Sequence, residues 1–215
     1  GSIMELTFQF FKAIFNCLDT DLYSPIDKAL ARAQLNLPQD LSQKIILFGA
    51  INATLDPRKG FSLLLDALKY LAQKNLLENI HLVVFGGSLN VSDLGIGIKL
   101  FNLGPIHDHS TLRTIYSAAD VMVVPSTEEA FGQTASEAMA CGTNVVGFLN
   151  TGLTDIIDHK LNGHLAKPKD ATDLANGIVW VLENANSSAA REKAIKTFSL
   201  TVIGQELINY YHCGH

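Results

Sequence analysis

Two glutamates eight positions apart, Glu129 and Glu137, bracket the run Phe131-Gly132-Gln133. A carboxylate accepts two hydrogen bonds at once and suits neighbouring hydroxyls on a sugar or ribose. Glu129 is expected in a loop and Glu137 in the first turns of a helix. The backbone amides near Gly132 and Gln133 would then face a crevice, and the N-terminus of a helix favours phosphate. Earlier in the chain, the adjacent cations Arg58 and Lys59 stand just before Gly60. They close a long loop that starts at Gly49 and leads into a helix. Phosphate, ribose and sugar together describe a nucleotide sugar. The plainer alternative is that both glutamates stabilise the helix N-terminus or face water.

These groups need a scaffold, and the chain spells one out. Four short apolar runs, Lys44–Ala50, His81–Gly87, Asp120–Ser126 and Asn144–Asn150, are rich in β-branched or aromatic residues and end at turn formers. They read as strands buried on both faces, with Ile98–Gly104 as a weaker fifth. Between them, Phe61, Leu64, Leu65, Leu68 and Leu71 recur at helical spacing, as Leu112, Ile115 and Tyr116 do more briefly. Phe131–Cys141 and Asp170–Leu182 also read as helices. Alternating strands and helices predict a doubly wound, Rossmann-like parallel α/β sheet. Ligands bind such sheets beyond the carboxyl ends of the strands. The loops at Gly49–Gly60, Gly86-Gly87, Gly104-Pro105 and Pro125–Gln133 all fall there.

Upstream, Ser24-Pro25 and Asp27 read as a cap and first turn of a helix ending before Pro38. Residues 1–40 are thus expected to form an arm leading into a domain over 41–215. The tail from Asp170 to His212 reads as helical, broken near Glu183–Ser188.

The 215 residues are 47% hydrophobic and 17% charged, which suits one well-buried core. A net charge of −5 speaks against a nucleic-acid partner, which needs a Lys/Arg excess. Cys17, Cys141 and Cys213 are odd in number and far apart, and read as free thiols in a reducing cytosol. The apolar stretch Ile3–Leu18 is interrupted by Glu5 and Lys12, falls short of the roughly 20 residues of a membrane span and lacks a basic start. Met4–Phe15 is expected to be core in an intact protein. His107-Asp108-His109 has metal-ligand spacing but sits at an expected helix start, where a solvated cap is the reading preferred. Trp180, Leu174 and Ile178 fit a helix packed on the core.

The run Glu129-Ala-Phe-Gly-Gln-Thr-Ala-Ser-Glu137-Ala-Met-Ala-Cys-Gly142, followed by Asn144-Val-Val, resembles the E-x7-E block of the retaining GT-B glycosyltransferases of family 4, the "group 1" glycosyltransferases. Asn16-Cys-Leu-Asp19 with Tyr23 and Pro25 resembles their interdomain linker N-G-x-D-x-x-x-F-x-P. Phe48-Gly49 to Lys59-Gly60 resembles the donor-phosphate loop. Leu103-Gly104, Tyr116, Asp120–Ser126, Gly152 and Asn162-Gly163 match in the same order.

The resemblance implies one half of a GT-B fold that binds a nucleoside-diphosphate sugar, UDP- or GDP-linked. A hexose-type sugar would be transferred to a glycan or lipid-linked acceptor with retention of configuration, in glycan biosynthesis. Lys59 would contact the donor phosphates and stabilise the departing diphosphate. Ala50 stands where the family has an arginine, and Arg58 is the nearby substitute. Cys17 replaces the linker's glycine. Glu137 would hold the ribose, and Glu129 would face the transferred sugar beside the amides of Phe131, Gly132 and Gln133. Gly49, in the donor-phosphate loop, would border the donor, and the base would lie near Gly86-Gly87 and Ile106. No cofactor or metal is expected. The acceptor site and a catalytic histidine are expected on an amino-terminal half, so this chain alone should turn over little. Self-association of the chain, a cytoplasmic location and peripheral membrane association of the full enzyme complete the expectations. A nonenzymatic binding module, or another GT-B enzyme such as an epimerase or phosphorylase, stands as the alternative.

Overall fold

A computed structural model of the chain describes residues 17–49, 56–87, 93–128 and 132–213, together with Met4, Thr7, Phe11 and Ile14. The elements run α1 (Lys28–Gln34), β1 (Lys44–Gly49), a 3-10 turn (Pro57–Lys59), α2 (Phe61–Gln73), β2 (Ile80–Phe85), β3 (Lys99–Asn102) and α3 (His109–Ala118). Then come β4 (Val121–Val124), α4 (Gln133–Ala140), β5 (Asn144–Phe148), a second 3-10 turn (Gly152–Asp155) and β6 (Gly163–Ala166). Three helices follow: α5 (Ala171–Asn184), α6 (Ser187–Phe198) and α7 (Leu200–Cys213).

All strand pairs are parallel, in the order β3-β2-β1-β4-β5-β6. This is the expected Rossmann-like winding. Successive side chains of a strand point to opposite faces, and here both faces are buried. Ile45 and Leu47 join a core with α1, α3, α4 and α6, while Ile46 and Phe48 join one with α2 and α5. The winding reverses between β1 and β4, which start from adjacent positions and lead into oppositely placed helices. Their carboxyl ends therefore flank a crevice.

Two expectations need correction. The sheet does not end at β5, because Gly163–Ala166 adds an edge strand paired from Val145↔Gly163 to Phe148↔Ala166. Its sequence, Gly-His-Leu-Ala, carries little β propensity, and a Cβ on Gly163 would lie 2.1 Å from the Val145 carbonyl oxygen. The cap of α1 is Asp27, whose carboxylate accepts the Leu30 amide, while Ser24 instead bonds the Asp21 carbonyl.

The segment ahead of β1 is built into the core. Leu18, Tyr23, Ala31 and Leu37 are buried with the α3–α4 face. Arg191 on α6 donates to the Tyr23 carbonyl at 2.6 Å and the Ala140 carbonyl at 2.8 Å. Leu18 forms a parallel bridge with Ser199, its amide donating to the Phe198 carbonyl at 2.8 Å. At the amino edge of the sheet, the fully buried Arg32 donates to the carbonyls of Ala118, Pro38, Asp40 and Gln43. It also pairs with Asp120 at 2.6 Å, which in turn accepts the Ile45 amide and Lys28. Of the apolar amino-terminal run, Met4, Phe11 and Ile14 are exposed. Among the described residues, no helix is long and apolar enough to cross a membrane.

Candidate functional site at the strand ends

The loop after β1 ends in a turn that the sequence dictates. The Asp56 carboxylate accepts the Arg58 amide, Pro57 starts the 3-10 turn, and Gly60 leaves it with φ +74° to open α2. Glycine is required there twice over. A side chain at that φ is strained, and a Cβ would sit 1.9 Å from the Pro125 carbonyl oxygen. The Thr127 amide donates to the Arg58 carbonyl at 2.9 Å. The loop carrying Lys59 is thereby stitched to the loop that leaves β4. Alanine at Gly60 is expected to cost about 1–3 kcal/mol of unfolding free energy and to separate the two loops. Thermal melting of Gly60→Ala checks this, and a wild-type melting temperature would refute it.

Lys59 is half-buried, directly ahead of Gly60. Arg58 is largely exposed, and its guanidinium grips Asp56 through Nε at 3.1 Å and Nη2 at 2.9 Å. That pairing holds the Asp56 carboxyl below its usual range. Gly49 closes β1 so near to Phe85 that a Cβ would meet its ring at 2.2 Å. Gly86 ends β2 with its amide on the Gly104 carbonyl, and Ile106 packs partly buried on the core. Four strand-end loops therefore do share one edge.

The chain enters α4 through Gly132 at φ +60°, with no side-chain cap on the helix. A Cβ on Gly132 would lie 2.6 Å from Ile156 and 2.9 Å from Leu153, so the second 3-10 turn fixes the helix start. Gln133 is the exposed first residue. Glu137 lies one turn further and is only 6% exposed. The Tyr116 hydroxyl donates to its Oε2 at 2.7 Å. Burial raises the Glu137 carboxyl above its usual range, opposed by the Tyr116 hydrogen bond and the nearby His109. Among the described residues, Glu137 has no salt-bridge partner. Glu129 and Phe131, together with Ala50, lie outside the described residues.

Other residues resolve into structural roles. Asp108 caps α3 by accepting the Thr111 amide at 2.7 Å, as a cap at this helix start requires. Its neighbour His109 is not merely solvated, because Nδ1 meets the Tyr23 hydroxyl at 2.7 Å. Asp19-Thr20-Asp21 has Asp-x-Asp spacing, which the expectation of a metal-free site overlooked. Asp19 there accepts the amides of Asp21 and Leu22 and holds a turn. No group of three or more His, Cys, Asp or Glu among the described residues could hold a metal ion. Cys17 and Cys141 are free, and burial pushes the Cys141 thiol up to about 12. A depression beside α6, lined by Asp158, Asn186, Lys193 and Lys196, lies apart from the strand ends. Its lysines already pair with Asp158 and Glu192.

Residues 33–198 match the family described as Glycosyl transferases group 1. The chain belongs to that family. A D-inositol 3-phosphate glycosyltransferase of Stackebrandtia nassauensis is 33% identical over 182 residues, 78% of this chain and 40% of the relative. The chain thus spans under half the length of this family member. Among solved structures, sucrose-phosphate synthase from Thermosynechococcus elongatus superposes with TM-score 0.75 at 33% identity, over 91% of this chain and 51% of that one. HepE from Anabaena, solved in complex with UDP and glucose, has the same fold at TM-score 0.73 and 23% identity, over 92% of this chain and 55% of its own.

Proposed function

We propose that this chain is the donor-binding half of a retaining group 1 glycosyltransferase, taking a nucleoside-diphosphate sugar at its strand ends. The observation that carries the reading is Glu137. A carboxylate buried without a cationic partner is costly, and this one stands on the helix that opens at the switch-point crevice. A ribose diol would supply donors to the lone pairs that the Tyr116 hydroxyl leaves over. The relative solved with UDP and glucose supports a uridine nucleotide as the first ligand to try.

In this reading Lys59 binds the diphosphate and stabilises it as it departs, an electrostatic contribution made where charge develops. Glu129 orients the sugar beside the amides of Phe131, Gly132 and Gln133. Gly86 and Ile106 border the base, and Gly49 borders the donor. Arg58 reaches phosphate only by giving up Asp56. The acceptor, a glycan or lipid-linked group, would bind on an amino-terminal half, where membrane association of the full enzyme would also reside.

Calorimetric titration with UDP, GDP and ADP, and then their sugars, tests the reading. Lys59→Ala is expected to weaken the diphosphate roughly tenfold, the scale of one charge-assisted hydrogen bond. The bare nucleoside should bind as before. Equal losses for nucleoside and diphosphate would remove Lys59 from the phosphate site. Failure of every nucleotide to bind would overturn the donor reading in favour of a module that kept only the fold.

A further inference from the structure

The carboxylate read above as the ribose ligand is held by groups that none of the roles so far includes. Tyr116 is fully buried on α3, with its hydroxyl on Glu137 Oε2 at 2.7 Å. Its ring meets Phe85 edge-on, centroids 5.8 Å apart at 84°, and Phe85 in turn fills the space that Gly49 leaves open. A second phenol comes from outside the sheet. Tyr23 is 3% exposed, its ring centroid 6.2 Å from that of Tyr116, and its hydroxyl meets His109 Nδ1 at 2.7 Å. The backbone around Tyr23 is fixed on both sides. Arg191 takes its carbonyl, Arg113 takes the Ser24 carbonyl at 2.7 Å, and the Tyr23 amide donates to Asp19.

An ionised carboxylate only accepts, so the Tyr116 hydroxyl is the donor to Glu137. The Tyr23 hydroxyl is hydrogen-bonded to His109 Nδ1 at 2.7 Å, which holds its ring against Tyr116. The linker pattern that this chain resembles has phenylalanine at the Tyr23 position, so the outer hydroxyl is a departure from it.

We propose that Tyr116 is the positioning residue that clamps the Glu137 carboxylate for a vicinal diol, with Tyr23 held behind its ring by His109. The clamp rests on the donor reading of Glu137. A carboxylate free to rotate would spend part of its binding energy on being ordered, whereas one held by a rigid phenol presents its remaining lone pairs in place. The Tyr116 hydrogen bond also opposes the rise that burial imposes on the carboxyl. The titratable and polar groups facing it are Tyr116 and His109 from α3, Tyr23 from the linker, and Gln133 and Cys141 from its own helix and cap.

The test uses phenylalanine at each position, which keeps ring and packing and removes only the hydroxyl. UDP and pyrophosphate affinities are measured by calorimetry on the chain and on Tyr116→Phe and Tyr23→Phe, with the Glu137 carboxyl titrated by carbon-13 NMR without ligand. Tyr116→Phe should weaken UDP roughly three- to tenfold, leave pyrophosphate unchanged and move the Glu137 midpoint upward. Tyr23→Phe removes only the contact to His109 and should move affinity and midpoint less. A merely structural tyrosine would lower the melting temperature and move neither the midpoint nor the preference for UDP over pyrophosphate. If wild-type chain binds UDP and Tyr116→Phe matches it in affinity and midpoint, the clamp is overturned and the donor reading stands. If wild-type chain binds neither UDP nor GDP, the donor reading falls and takes the clamp with it.

Discussion

Glutamine in place of Glu137 is expected to weaken UDP binding by roughly tenfold or more while leaving the fold at least as stable at neutral pH. The two halves of this expectation have separate causes. Glutamine keeps an acceptor for the Tyr116 hydroxyl but loses the charge that strengthens bonds from a ribose diol. Stability follows from the carboxyl's displaced titration. Burial raises it above its ordinary value, so the folded chain holds that proton more tightly than the unfolded chain does. Stability then falls as pH rises from the ordinary carboxylate range through the raised folded value. At neutral pH the ionised group opposes folding, and glutamine relieves that opposition. Calorimetry for UDP and melting curves at neutral and acidic pH measure both parts. A variant that melts lower yet binds UDP as before would make Glu137 a structural residue.

Methionine at Arg32 should produce the largest loss of stability in the chain, about 3–5 kcal/mol, the usual cost of breaking a buried ion pair from one side. The guanidinium is fully buried and serves five oxygen partners, the carbonyls of Ala118, Pro38, Asp40 and Gln43 and the Asp120 carboxylate. Methionine fills the stem's volume and satisfies none of them. Lysine should recover little, because an ammonium cannot reproduce the planar fork that reaches backbone groups on several sides. Denaturant unfolding of both variants measures this. The interpretation is lost if Arg32→Met unfolds within about 1 kcal/mol of wild type, the scale of a solvent-exposed pair.

The legible parts of the chain were those where one physical demand dominates the residues. β1, β2, β4 and β5 are buried on both faces, so apart from Lys44, His81 and Asn144 near their amino ends the positions are apolar and the runs declare themselves. β6 sits at an edge, is four residues long and includes a glycine forced by close approach to Val145, so no run marks it. The Lys59 and Glu137 loops stood out because cations and carboxylates at strand ends are uncommon without a ligand. What stayed hidden was contact at long range. Nothing in Ser24–Gln34 announces that Arg32 will meet Asp120, 88 residues on. Nothing near His109 announces that its ring will meet Tyr23, and it was read as solvent-facing. Tyr116 was visible as part of a motif, yet its hydroxyl's target depends on how α3 and α4 pack.

The bridge between Leu18 and Ser199 has a consequence for how such a body travels between proteins. The segment entering the fold at Leu18 and the junction between α6 and α7 lie side by side, joined by the Leu18 amide on the Phe198 carbonyl. A folded unit whose two openings are neighbours can be spliced into a host chain at a single point, since the host need part by only the width of two adjacent segments. Residues 18–199 thus have the geometry of a cassette. Joining their ends through a short loop and reopening the chain at an exposed turn, such as the one at Lys74-Asn75, should give a permuted protein with the same sheet order.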